Sequence, residues 1–123
     1  MGRLGVEGAK RLEEAGIRLA DLHPAALLDL AHASLEAFAG RDLTELTEAE
    51  VLDAAQASTE VAVLAIAVQT AAAGRLDTSK AWQPSGAKSA GAWLAWKCRL
   101  PSKRANAVVR CARRLRDLPG TEA

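Results

Sequence analysis

Aromatic side chains and side chains that support catalysis are scarce in this sequence. Its 123 residues include three Trp, one Phe and no Tyr, together with two His and two Cys. Strands are enriched in aromatic and β-branched residues, whereas Ala and Leu, which dominate here, favour helices. The composition and periodicity therefore predict one all-α domain of about four helices that ends in a hairpin similar to a helix-turn-helix.

The few cysteines and histidines are not spaced as metal ligands. Cys98 and Cys111 do not form a C-x-x-C pair, and His23 and His32 do not form an H-x-x-x-H pair. Zinc sites use such close pairs, so we expect no metal site. Both thiols fall in apolar helical patterns with no secretory segment before them, which predicts reduced, buried cysteines in a cytoplasmic protein.

Catalytic motifs are missing from the sequence as well. No glycine-rich loop ends in Lys-Ser or Lys-Thr, and no serine stands in a nucleophile elbow. The carboxylates follow the spacing of exposed helical positions. We therefore expect no catalytic residue and no cofactor in this chain.

Long apolar runs are also lacking. The most apolar stretch, Val61–Val68, is far shorter than the roughly 20 residues that a membrane-spanning helix needs. The sequence therefore predicts a soluble protein with no membrane partner.

Glycine and proline mark the boundaries of the N-terminal elements. Residues 1–22 contain four glycines around a short amphipathic stretch and predict a weakly helical segment, followed by a helical domain over 23–123. Pro24 suits the first turn of a helix that runs to about Phe38. Gly40 is then expected to stop this helix.

A capping box opens the next helix. Thr47 is followed three residues later by Glu50, which predicts a helix from Glu48 to about Ala73, where a glycine follows. The second half of this helix is apolar nearly all round, so either the other helices or a second chain must cover it. The polar residues 75–87 predict a loop.

Charge is divided unevenly along the chain. Residues 1–74 carry five Lys/Arg against twelve Asp/Glu, whereas residues 75–123 carry eleven against three. A cationic half indicates an anionic partner. That partner is nucleic acid, the acidic half of the same chain or that of a second copy, and charge alone does not choose between them.

Two helices joined by a tight turn are predicted in the basic half. Ser85 or Ser89 can cap the first, which is expected to run through Arg99. Ser102 can cap the second, which is expected to run to about Leu118.

The second helix separates apolar from basic side chains. Its apolar face consists of Ala105, Val108, Val109, Ala112 and Leu115, and the cations opposite are Lys103, Arg110 and Arg114, with Arg113 alongside. A solvated basic face is sufficient to explain this pattern.

The first turn of the second helix favours an anion instead. Lys103 and Arg104 follow Ser102, although a helix N-terminus prefers acids by about 0.3–1 kcal/mol per charge. A bound phosphate would make the amides, the helix dipole and both cations favourable together. We therefore expect phosphate contacts at this end of the helix.

The tryptophans are expected to be structural. Trp93, Trp96 and Leu100 follow i, i+3, i+7 spacing, which is more typical of a core face than of side chains that stack on bases. We expect this face to pack against the apolar face of the second helix, while Trp82 lies in the preceding loop.

The segment "SGAKSAGAWLAWKCRLPSKRANAVVRCARRLRDLP" resembles the bacterial family called domain of unknown function 222, the N-terminal part of many HNH endonuclease-like proteins. The family pattern has a G-x-K/R-S step, an A-x-W-L step, a basic pair, a Leu-Ser/Pro turn and a second helix that ends in Leu-Pro. The matching positions are Gly86, Lys88, Ser89, Ala92, Trp93, Leu94, Lys97, Arg99, Leu100, Ala105, Val108, Val109, Arg110, Ala112, Arg113, Leu115, Leu118 and Pro119. The family usually places an acid in the first turn of the second helix, where this sequence has Ala105.

The resemblance covers about 35 residues closely and residues 24–76 more loosely. It implies a helical region that precedes a DNA-cutting module, whose metal-bound His and Asn residues this chain lacks. A divalent metal would belong to that missing module, and the chain is expected to be the front part of a longer domain.

Two functions follow as expectations. The first is a non-catalytic region of an HNH endonuclease-like protein that binds or positions DNA through residues 86–118. Its expected contacts are Lys88, Lys97, Arg99, Lys103, Arg104, Arg110, Arg113 and Arg114. The alternative is a helical protein–protein interaction or dimerisation module, in which the apolar helix and the opposed charges drive assembly of a homodimer.

Overall fold

A computed structural model describes the backbone of residues 6–117 and the side chains of residues 8–117. Within this range the protein is all-α, with five α-helices and no strand, so the predicted fold class is confirmed. The α-helices are α1 Val6–Glu14, α2 Pro24–Ala39, α3 Glu48–Ser79, α4 Ala90–Lys97 and α5 Ser102–Asp117. Short 3-10 turns occupy Leu19–Asp21, Leu43–Glu45 and Gln83–Ser85. The predicted end of the last helix at Leu118, and the family position Pro119, lie outside the described residues.

The chain divides into two compact units, and the boundary between Val61 and Ala62 falls inside α3. The first unit contains α1, α2 and the beginning of α3, and the second contains the rest of α3 with α4 and α5. The division predicted between residues 22 and 23 stays a prediction.

Local capping organises the first unit. His23 precedes α2, and its Nδ1 atom accepts a hydrogen bond of 3.1 Å from the Ala25 amide, while Pro24 occupies the first helical position. The Gly40 amide donates to the Glu36 carbonyl at 3.2 Å, at the end of α2. Both predicted boundaries of this helix are confirmed. None of the described side chains in this unit is buried.

The predicted capping box opens α3. The Glu50 amide donates to Thr47 Oγ1 at 3.2 Å, and the Thr47 amide donates to Glu50 Oε1 at 3.0 Å. These bonds satisfy amides that the first helical turn leaves without intrahelical partners. They hold the pKa of the Glu50 carboxyl below its usual value, chiefly through the bond from the Thr47 amide.

The predicted end of this helix at Ala73 is wrong, because α3 continues through Gly74 to Ser79. A Cβ atom at Gly74 would lie 3.2 Å from the Ala112 Cβ atom of α5. The glycine therefore marks a close approach of two helices. The helix ends at Ser79, and the next residue, Lys80, has a left-handed φ of 56°. Residues 75–79, the first part of the predicted loop, are therefore helical.

The predicted hairpin is formed by α4 and α5, with small boundary differences. Ser89 caps α4 by accepting a 3.1 Å bond from the Ala92 amide. This helix ends at Lys97, two residues before the predicted end at Arg99, which has a left-handed φ of 54° in the turn. The Ala105 amide donates to the Pro101 carbonyl at 3.0 Å, so α5 begins at Ser102 rather than being capped by it.

The core of the second unit joins three helices. Its buried side chains come from α3, α4 and α5, and the surrounding apolar residues are partly buried. The buried set is Ala73, Ala90, Leu94, Ala105 and Val109, and the partly buried set is Leu76, Trp82, Trp93, Ala95, Leu100 and Val108. Small residues predominate, which allows the helices to approach closely.

Four side chains predicted to be packed are exposed instead. Trp96 is 60% exposed and Leu115 is 44% exposed, and both thiols, Cys98 and Cys111, are exposed. Trp96 comes two residues after the buried Leu94, which is about 200° around a helix, so it lies on the opposite side of α4. These four predictions are wrong because the faces that α4 and α5 bury are narrower than the apolar sequence pattern indicates, and Cys98 follows the end of α4.

One of the described helices, α3, has the length and apolar composition that a membrane-crossing helix requires. Core helices of soluble proteins satisfy the same criterion, so length and composition do not distinguish the two settings. The prediction that the protein has no membrane partner stays a prediction.

Candidate nucleic-acid interface

The buried face of α5 fixes the direction of its basic residues. Ala105, Val109 and Ala112 are 0%, 4% and 5% exposed and pack into the second unit. Because the rotation of α5 is set by this face, the side chains on the opposite face must point to solvent.

Two arginines at the end of α5 bind a carboxylate of α3. Arg113 donates from Nε and Nη2 to the two Asp77 oxygens at 2.9 and 2.8 Å, and Arg116 donates from Nη2 at 3.2 Å. The Arg113 hydrogen bonds lower the pKa of Asp77 to about 2, and they raise that of Arg113. Arg113, which was predicted to contact phosphate, is therefore already engaged within the protein.

Three other cations form a row on the free side of α5. Lys103, Arg110 and Arg114 are exposed and have no hydrogen-bond or ion-pair partner among the described residues. Their separations of seven and four residues correspond to about 10 and 6 Å along the helix axis, on nearly the same side. We call these three residues the α5 cationic row.

The first turn of α5 carries positive charge where a helix prefers negative charge. Lys103 and Arg104 lie in this turn, which contains no acid, and both are exposed. The free amides of a helix N-terminus carry partial positive charge, so both cations raise the local potential further. An anion is the group that this end of the helix would bind.

The remaining predicted cations lie on or beside α4. Lys88, Lys97 and Arg99 are exposed. The Lys97 ammonium lies 4.2 Å from the centroid of the Trp96 ring, within the range of a cation–π contact. All eight predicted contact residues thus belong to the second unit and are exposed, and only Arg113 among them forms a salt bridge within the described chain.

Two features of this surface were not predicted from the sequence. The Asp77 carboxylate, which divides the arginines of α5 into bound and free groups, was assigned to a loop. Trp96 was assigned to the core. A helix of eight residues carries too little periodicity to show which of its sides faces solvent, so the sequence offered no signal for the exposure of Trp96.

Metal chemistry finds no support in the arrangement of the side chains. Among the described residues, no three His, Cys, Asp or Glu side chains are grouped so that they could hold a metal ion.

No protein-family model matches the chain, and neither a curated protein nor a solved structure matches it.

Proposed function

We propose that the hairpin of α4 and α5 binds DNA through the α5 cationic row and the cations at the start of α5. The observation that carries this proposal is the division of basic residues on α5. Arg113 and Arg116 are bound by Asp77, whereas Lys103, Arg110 and Arg114 lack partners among the described residues. The HNH endonuclease-like context is part of the proposal, and it rests on the sequence resemblance.

A solvated surface accounts for exposed cations in general, and two features of α5 favour an anionic partner in addition. Asp77 binds two of the arginines of α5, Arg113 and Arg116, and so attaches the helix to α3. The first turn of α5 also lacks the acids that would stabilise a helix by about 0.3–1 kcal/mol each. Phosphate groups would supply the missing negative charge at both places.

Salt dependence of binding tests the proposal. We would measure the fluorescence anisotropy of a labelled duplex at about 50, 100 and 200 mM salt, because release of condensed counterions makes log affinity fall linearly with log salt. The variant Lys103→Gln/Arg110→Gln/Arg114→Gln removes three candidate phosphate contacts. This variant should bind duplex more weakly, and the magnitude of its slope of log affinity against log salt should be smaller by about 2 to 3.

A control variant separates local contacts from net charge. Lys10→Gln/Arg18→Gln/Arg41→Gln removes the same number of charges from exposed positions of the first unit. The proposal expects the control to retain nearly the whole salt slope of the natural sequence. Equal losses in the two variants, or no binding of duplex at low salt, would refute it.

A second function, self-association through α3, is favoured by a different observation. Val63, Ile66, Thr70, Ala73 and Asp77 follow alternating three- and four-residue spacing and so share one side of the helix. Thr70 and Ala73 are buried, whereas Val63 is 63% and Ile66 is 60% exposed. The apolar side of α3 is therefore covered only towards its C-terminal end.

A groove beside this side of α3 offers further apolar surface. It has a volume of about 710 Å³ and lies between α3 and α5, where Ala67, Ala71 and Leu115 contribute to its lining. Burial of apolar side chains favours association, although the net affinity also depends on the cost of ordering the two partners. A second copy of the chain would provide such burial, and its acidic first half would complement the basic second half of this copy.

Sedimentation velocity distinguishes a monomer from a dimer. The variant Val63→Glu/Ile66→Glu should shift the protein towards monomer, whereas Ala65→Glu/Ala72→Glu, which adds the same charge at other exposed positions of α3, should not. A natural sequence that stays monomeric up to about 100 μM would exclude this second function.

A further inference from the structure

Trp96 is more exposed than the other two tryptophans. Trp82 and Trp93 are partly buried against the core of the second unit, whereas Trp96 is 60% exposed. The ring lies near the C-terminal end of α4, and Lys97 is its cation–π partner. Exposing so large an apolar surface is unfavourable, so a group that covers the ring would gain the free energy of its burial.

A shallow cavity adjoins the exposed tryptophan. It has a volume of about 320 Å³ and is lined by small residues, with Trp96 and Lys88 among its walls. Gly86, at a left-handed φ of 87°, forms part of the lining, and a Cβ atom there would meet nothing within 4 Å. The volume is at the lower end of the range of roughly 300–1,000 Å³ for small-molecule sites, which suits one flat ring rather than a large ligand.

We propose that an unpaired nucleobase stacks on Trp96 and that the adjoining phosphate binds Lys88, so the hairpin binds single-stranded nucleic acid as well as duplex. This inference rests on the proposed function, because the cationic residues of the hairpin supply the attraction to the backbone. A base within a duplex has both faces covered by its neighbours and cannot stack on a protein ring. The site therefore selects the unpaired form.

The chemistry of the surroundings supports this ligand. Aromatic side chains interleaved with cations are the arrangement by which proteins bind single strands, since every base has a flat face and every nucleotide has a phosphate. Lys88 is exposed and has no partner among the described residues. The Lys97 ammonium, 4.2 Å from the ring centroid, adds a second positive charge at the same place.

Two oligonucleotides separate stacking from charge. We would titrate the protein, at about 50 mM salt, with an oligothymidylate of about ten nucleotides and with an abasic oligonucleotide of the same length and charge. The oligothymidylate should bind more tightly than the abasic strand and should quench tryptophan fluorescence. The abasic strand should bind through its charge without quenching. Trp96→Ala should weaken oligothymidylate binding about 5- to 100-fold and leave abasic binding unchanged.

Additional variants separate the effect of the Trp96 ring from effects of folding and of charge. Trp96→Phe keeps a ring and should restore most of the affinity lost in Trp96→Ala, and unchanged far-ultraviolet circular dichroism establishes that both variants fold. The triple substitution in the α5 cationic row should weaken binding of both strands alike.

The possible results distinguish this inference from the function on which it rests. If the natural sequence binds neither strand nor duplex at low salt, the proposed function fails and stacking fails with it. If both strands bind equally and Trp96→Ala changes neither, stacking is refuted while the proposed function stands. If Trp96→Ala changes the sedimentation coefficient but not strand binding, Trp96 belongs to a protein interface and the inference is likewise overturned.

Discussion

Arg113 holds Asp77 through two parallel hydrogen bonds, from Nε to Oδ2 at 2.9 Å and from Nη2 to Oδ1 at 2.8 Å. The pair links α5 to α3 across 36 residues of sequence, and the Asp77 side chain is only 12% exposed. A two-point contact of this kind fixes orientation as well as distance. It therefore helps to set the rotation of α5 that directs Lys103, Arg110 and Arg114 to solvent.

Substitution of Asp77 should destabilise the protein in a pH-dependent way. The lowering of the Asp77 pKa from 3.8 to about 2 corresponds to an upper limit of about 2 kcal/mol. Because the Arg113 side chain is 54% exposed, water screens the pair, and we expect Asp77→Asn to lower the free energy of unfolding by about 1 kcal/mol at neutral pH.

The direction of the pH effect follows from the lowered pKa. The ionised carboxylate stabilises the folded state above the unfolded pKa of 3.8, and this contribution is lost as pH falls through about 2. Urea unfolding near pH 7 and near pH 2 should show a difference between the variant and the natural sequence that shrinks in acid. Asp29→Asn, at an exposed position of α2, is the control, and a difference independent of pH would contradict the assignment.

Gly74 should resist replacement by a larger residue. Its Cβ would lie 3.2 Å from the Ala112 Cβ, so Gly74→Leu must separate α3 from α5 even though leucine favours helix. We expect a loss of about 1–3 kcal/mol in the free energy of unfolding. Gly8→Leu in α1 has no atom within 4 Å of the new Cβ and should be neutral or stabilising. Equal thermal stability of the two variants would argue against close packing at Gly74.

Lys80 should be replaceable by glycine with a gain in stability. Its φ of 56° lies in the left-handed region, where a side chain costs about 1 kcal/mol or more and glycine does not. Lys80→Gly should therefore raise the free energy of unfolding by about 0.5–1 kcal/mol. Ala81→Gly, one residue later, lacks this benefit and should be neutral or destabilising by a similar amount. Thermal unfolding of both variants measures the contrast.

Both thiols should react in the folded protein. Cys98 and Cys111 are exposed, so a thiol reagent should modify both without denaturant, contrary to the expectation from their apolar sequence surroundings. Cys98→Ser and Cys111→Ser should each remove one equivalent of reactive thiol. A requirement for urea before either thiol reacts would show that the side chain is covered.

Boundaries set by neighbouring residues could be predicted from the sequence. The capping box of Thr47 and Glu50, the Ser89 cap and the proline at the start of α2 use hydrogen bonds or backbone restrictions within three residues. Such interactions are present in the local sequence whatever the rest of the chain does. The capping box and the proline at the start of α2 were therefore predicted correctly, and for α4 the structure selects Ser89 from the two predicted caps, Ser85 and Ser89.

Features that depend on distant residues could not be predicted in this way. Gly74 looks like a helix end until Ala112, 38 positions later, is found against it. The division of the basic residues on α5 depends on Asp77, which local composition placed in a loop. The exposure of Trp96 depends on which side of α4 packs, and eight residues are too few for periodicity to decide that.

The distribution of buried residues makes α3 a helix of graded stability. Every buried side chain in the described chain lies between Thr70 and Ala112, so the beginning of α3 buries no side chain, and its capping box holds its first turn. Amide hydrogens exchange with solvent through local opening where few buried contacts must be broken. Protection against exchange should therefore rise steadily along this one helix, from Val51 to Ala73, and the helix should open from its N-terminal end while the hairpin stays closed.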